Sequence, residues 1–157
     1  VADLRELLVA YVQAGKAMQL ATLDEHGSPY VSNLFFASAF DPDRLYFISR
    51  PDRHHCEYLR QRSRVGGAVL AIDLEGVGQA VRGVTFTGRA VELPTVGIEE
   101  RIAVYVGRWA AAANAIDPAR LAAGQTHHRL YEITVDSWIL YDEENFRAAP
   151  RQPVNAH

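Results

Sequence analysis

Thiols, long apolar runs and an excess of positive charge are what this chain of 157 residues has least of. Its one cysteine, Cys56, excludes an intrachain disulfide and suits a reducing compartment, so a cytoplasmic location is expected. No apolar run approaches the roughly 18 residues that a membrane-spanning helix needs. The first residues form an amphipathic, acid-bearing segment, which is not the pattern of a secretory signal. A formal net charge of −3 lacks the basic footprint of a general nucleic-acid binder. There is no second thiol and no HExxH spacing. The adjacent pairs His54-His55 and His127-His128 diverge on a helix or point to opposite faces of a strand, so neither chelates readily and no metal site is expected. The glycines at 66, 67, 76, 78 and 83 match no phosphate-loop or dinucleotide fingerprint and serve turns or bulges.

What is present is the composition of a globular domain, 48% apolar and 22% charged, expected over residues 1–146 with a mobile, proline-containing tail over 147–157. Leu4, Leu7, Leu8, Tyr11 and Val12 recur at helical spacing behind Asp3, and Gly15 supplies a stop, so residues 3–14 read as a helix. Strand-like runs follow at 18–23, 29–40, 44–49, 64–72, 81–93 and 128–141. Turn signals at Asp24-Glu25-His26-Gly27 and Asp41-Pro42-Asp43 join the first three. In the 81–93 run Val84, Phe86 and Ala90 share one face and Thr85, Thr87 and Arg89 the other, so that strand is half-buried. The 128–141 run places Tyr131, Ile133, Val135, Ile139 and Tyr141 on one parity. Both parities of 29–40 are mostly apolar, so both faces are expected to pack, one of them against another subunit. Further helices are expected at 52–62, at 96–108 behind Thr95, and after Asp117-Pro118. Short connections favour antiparallel pairing, and the expected fold is mainly β with peripheral helices: a six-stranded, closed or partly open barrel.

Residues 49–55, Ser-Arg-Pro-Asp-Arg-His-His, join a strand to the 52–62 helix. A helix start carries free N–H donors and partial positive charge, so acidic residues normally favour it. Here two arginines and two histidines outnumber one aspartate. Two readings stay open from this segment alone: a solvated basic turn, or a seat for phosphate oxygens. Cys56 reads as a packing thiol in preference to a nucleophile. Trp109 and Trp138 read as core or dimer-packing residues in preference to ligand platforms.

The order of several segments resembles one family. Met18-Gln19-Leu20-Ala21-Thr22-Leu23, Gly27-Ser28-Pro29 entering a strand, Leu45-Tyr46-Phe47-Ile48-Ser49 with the basic turn and Leu59, and Arg82-Gly83-Val84-Thr85-Phe86-Thr87-Gly88-Arg89-Ala90 are similar to the pyridoxamine 5′-phosphate oxidase-like split barrels that bind FMN. Leu130-Tyr131-Glu132-Ile133 resembles the start of that family's last strand. The resemblance implies an antiparallel split β-barrel, homodimeric, with FMN at the subunit interface. It implies phosphate ligation by Ser49, Arg53, His54 and His55, and a flavin ring lined by backbone from Asn33 through Leu34 and Phe35 to Phe36, with Ser32 and Arg50 as further cofactor-binding residues. Arg82 is carried as a further cofactor contact. The chain departs from the family where His55 replaces a common lysine, Ser32 a common arginine and Gly83 a glutamine. The oxidase's C-terminal substrate residues have no counterpart, so another substrate is expected. The implied function is an FMN-dependent oxidoreductase of unknown substrate, with NAD(P)H as a possible electron donor. The alternatives are a non-catalytic carrier of flavin, deazaflavin or haem on the same barrel, and an interaction module whose basic turn binds only incidental anions.

Overall fold

Asp3 opens the first helix: its carboxylate accepts the N–H groups of Arg5 and Glu6, satisfying two of the donors that a helix start leaves free. The computed structural model, which describes residues 3–157, continues from this helix (α1, Leu4–Ala14) into a mainly β domain. The strands are β1 (Ala17–Leu23), β2 (Pro29–Phe35), β3 (Ala37–Ala39), β4 (Arg44–Ser49), β5 (Arg64–Leu70), β6 (Arg82–Glu92), β7 (Arg129–Asp142) and β8 (Arg151–Asn155). The later helices are α2 (His54–Gln61), α3 (Glu99–Arg108) and the short α4 (Pro118–Ala122). Asp117 caps α4 by accepting the N–H of Arg120, with proline at the first position. Thr95 does not cap α3, which begins behind Ile98 without a side-chain cap. Among the described residues no helix is long and apolar enough to cross a membrane.

All pairings are antiparallel, in the order β2-β1-β5-β6-β7-β4-β3, with β8 added to β7. β2 and β3 stand at opposite ends of that order yet are separated by one residue, Phe36. The sheet must therefore curl until its two ends meet, and the 29–40 run is two strands broken at a fully buried phenylalanine. The result is a barrel split along β2. Inside it lie Leu8, Val12, Met18, Leu20, Phe47, Tyr131, Ile133 and Trp138; a second cluster under α3 contains Tyr46, Ile98, Ile102, Tyr105, Ile116 and Leu130.

The six long runs are all strands; the structure adds β3 and β8. β8 corrects the expectation of a mobile tail. β4 covers one edge of β7 only from Arg129 to Thr134, and the chain end pairs with the remainder, Ser137 to Tyr141. An edge left open there would be a row of unpaired donors and acceptors, which pairing removes. The parity expected for β7 also holds only halfway. Thr87 pairs with Ser137 and Gly88 with Val135, so Asp136 is an extra residue opposite the Thr87–Gly88 bond. Beyond this bulge the inward set becomes Trp138, Leu140 and Asp142, while Ile139 and Tyr141 turn outward.

The outer face of the sheet is uncharged at its centre. Pairing places Val31, Asn33 and Phe35 beside Ala21, Gln19 and Ala17, then Gly66 and Ala68, Thr87 and Thr85, Ser137 and Ile139. Val31 is 59% and Phe35 63% exposed.

Candidate functional site

The split in the barrel leaves the free edge of β2 with backbone carbonyls that no strand pairs. α3 and the residue that caps its end supply donors to this edge and the residue after it: the Tyr105 hydroxyl donates to Phe35 O at 3.2 Å and the Trp109 indole N–H to Phe36 O at 2.8 Å. Trp109 also tilts against the Phe35 ring, with centroids 5.0 Å apart. Between them opens an apolar cleft of about 420 Å³ walled by Asn33, Leu34, Phe35, Ile48, Tyr105, Trp109 and the 111–112 alanines. Burial pushes the Tyr105 phenol up to about 12, so it stays a neutral donor.

Ala111 is shared with a second cavity, of about 390 Å³, that is cationic: Arg50, Arg120, His127 and His128 line it with Asn114, Gln125 and Thr126. A third, of about 260 Å³, shares Arg50, Thr126 and His127 with it and adds Pro51, Asp52 and Arg129. The β4–β7 ladder explains the convergence, because Ser49 pairs with Arg129 and so sets residues 126–128 beside the 50–52 turn. Burial, then Arg50, His127 and Arg53, hold the His128 imidazole below its ordinary value. Arg50 pairs with Asp52 at 3.1 Å. Among the described residues Arg53 has no ion pair, and it stands at the cap of α2 without a side-chain cap bond.

The expected site residues divide into groups. Asn33, Leu34 and Phe35 share the apolar cleft, and the Asn33 carbonyl accepts the Gln19 amide at 3.1 Å. Ser32 pairs with buried Leu20 and lies on the other face of β2 from Asn33. Arg50 reaches the cationic cavities. Ser49 and His55 are both buried and bonded to each other, Oγ to Nε2, at 2.9 Å. Burial, then Arg53 and His54, lower the His55 imidazole, so it is neutral near pH 7. His54 lies among the rings of Tyr30 and Tyr58. Arg82 is not brought to this turn. It pairs with Asp142, whereas Ser49 pairs with Arg129 at the other end of β7, and it faces Glu144 at 3.8 Å. Burial pushes the Cys56 thiol up, consistent with a packing role.

The sequence gives no signal for Tyr105, Arg120, Gln125 or Thr126 as site residues, reads Trp109 as a packing residue in preference to a ligand platform, and offers His127 and His128 only as a metal pair. Their proximity to Arg50 follows from strand pairing, which local patterns do not encode.

A curled antiparallel sheet, open along one edge strand and holding an apolar cleft against a cationic one, defines a split-barrel protein. The chain belongs to the pyridoxamine 5′-phosphate oxidase family, whose sequence pattern matches residues 4–142. A UPF0306 protein of Pasteurella multocida is 30% identical over 81 residues, 52% of this chain and 53% of that one. The chain thus spans about half the length of the curated relative it matches. The structure of a haem-binding protein from Mycobacterium smegmatis superposes with a TM-score of 0.77 at 18% identity, covering 99% of this chain and 59% of that one. A FAD-binding protein from Mesorhizobium loti superposes with a TM-score of 0.65 at 25% identity, covering 87% and 92%.

Proposed function

We propose that this chain is an FMN-binding oxidoreductase of small molecules, acting as a homodimer. The observation that carries the reading is the junction of an apolar cleft along β2 with a cationic turn at the start of α2. The residues present fit the cofactor. Phe35, Trp109 and Ile48 offer apolar walls, two of them aromatic; the β2 backbone and Asn33 offer polar partners to a ring edge; Arg53, and Arg50 beside its partner Asp52, offer positive charge to a phosphate. Ser49 and His55 act one layer deeper. Their mutual bond fixes the end of β4 against the first turn of α2, and so positions Arg50 and Arg53. When bound, the flavin would supply two-electron chemistry at its ring nitrogen N5. The chain's own part is to orient the ring, exclude water with Trp109 and Tyr105, and neutralise the phosphate. The FAD-binding relative supports this reading. The uncharged outer face containing Val31 and Phe35 supports the dimer.

The haem-binding relative motivates the second reading, a non-catalytic carrier. Against haem in this cleft, its walls contribute no His, Cys or Met side chain, and the Tyr105 hydroxyl is already engaged.

The test is a titration of purified protein with FMN and with riboflavin. Arg50→Ala and Arg53→Ala should each weaken FMN tenfold or more, since a charge-assisted hydrogen bond contributes about 1.5–3 kcal/mol, and leave riboflavin nearly unchanged. Equal losses for both ligands would contradict phosphate anchoring, and no uptake of either would remove the flavin reading.

A further inference from the structure

The cationic cavities extend beyond the turn assigned to the flavin phosphate. Ser49, Arg53, His54 and His55 line neither of them, whereas Arg50, Arg120, His127, His128 and Arg129 do. The two cavities share Arg50, Thr126 and His127, forming one trough lined by three guanidiniums, Arg50, Arg120 and Arg129, and by the His127 and His128 imidazoles. Among the described residues that line it the one carboxylate is Asp52, which pairs with Arg50 at 3.1 Å. Side-chain hydrogen bonds brace its walls. Arg120 donates to Gln125 O at 2.9 Å and to the Asn114 side chain, and Arg129 donates to His128 O at 2.8 Å. A guanidinium carries five N–H groups, so both keep donors to spare. Ala111 lines both the trough and the apolar cleft. One phosphate would engage only some of the three guanidiniums. Two linked phosphates, with a planar ring at one end, match its charge and its apolar neighbour.

We propose that this trough seats the diphosphate of a nicotinamide dinucleotide, the electron donor of the oxidoreductase proposed above and therefore dependent on that reading. With both bound, the nicotinamide would give up one hydride and leave oxidised, and the flavin would supply the two-electron acceptor, a second proton coming from solvent. His127, His128 and Arg129 would hold the phosphates, and the ring would pass Ala111 towards Trp109.

The experiment measures calorimetric binding of ADP-ribose and of AMP to the full chain, with and without FMN, for the wild type and for His127→Gln, His128→Gln and Arg129→Gln. ADP-ribose should bind at least fivefold more tightly than AMP. Each variant should lose at least fivefold for ADP-ribose while keeping its melting temperature and its FMN affinity within twofold. Equal binding of AMP and ADP-ribose, or no binding of either, overturns the diphosphate site. A parallel loss of FMN affinity in the variants also overturns it, because the trough would then belong to the flavin phosphate. ADP-ribose binding in a protein that takes up no flavin overturns the donor role and the oxidoreductase reading while leaving the diphosphate site standing.

Discussion

Four donors converge on the buried carboxylate of Asp43: the Arg5 guanidinium at 2.5 and 2.7 Å, the Trp138 indole at 2.7 Å, the His157 N–H at 3.3 Å and the Asp41 N–H at 3.5 Å. Burial alone would raise its pKa, but these bonds outweigh burial and hold it at about 2. Its folded value lies below the usual carboxylate value of 3.8, so the native contacts favour the ionised form. That stabilisation, roughly 2 kcal/mol, is complete above the unfolded pKa and is lost as pH falls through about 2. Resistance of the wild type to urea should therefore fall between about pH 5 and about pH 2. Asp43→Asn should cost about 3–5 kcal/mol at pH 7, because it leaves the Arg5 charge poorly paired, and should flatten that acid limb. An unchanged acid limb in the variant would assign the pH dependence to other carboxylates. At this scale the sequence was only partly legible. Asp43 was read as a turn residue, which it is. Its burial depends on Arg5, Trp138 and His157, which lie 38, 95 and 114 positions away. His55 shows the same limit: its place in the basic turn was visible, but the Ser49 bond that draws it inward was not.

The bulge in β7 ties one glycine to the barrel's curvature. Gly88 lies opposite the irregularity, and a Cβ built there would drive into the backbone oxygen of Thr134, which cannot yield as a side-chain tip would. Gly88→Ala should therefore destabilise by roughly 1–3 kcal/mol. Gly76→Ala, in the β5–β6 loop where a Cβ meets nothing within 4 Å, should be near neutral. Paired urea melts check the contrast, and equal effects would mean that the bulge relaxes freely. Strand runs and most helices follow from periodicity, since alternation and capping are local properties. What escaped was whatever a partner strand decides: the break at Phe36, the parity change at Asp136, and the recruitment of residues 151–155 to an otherwise open edge.

At the scale of the molecule, the uncharged outer face is the unsolved surface. A sheet face carrying Val31, Phe35, Ala21, Ala68 and Ile139, with Thr87 and Ser137 bonded to each other at 2.7 Å, has the composition of an interface core. Sedimentation should find a dimer at micromolar concentration, and Phe35→Asp should shift it to monomer. A wild type that stays monomeric would overturn the assembly. The sequence pointed to this face through the two apolar parities of 29–40, although the other strands that complete it come from pairing.

The barrel is hydrogen-bonded around its circumference except where β2 faces β4, and there only Phe36 stitches the two ends of the sheet together. The apolar cleft lies along that gap, with β2 residues on one bank and Ile48 of β4 on the other. A molecule wedged into it would act as a keystone, tying the two banks where the backbone ladder does not. Loading the cleft and tightening the whole shell are then a single event, and heat resistance should climb with occupancy.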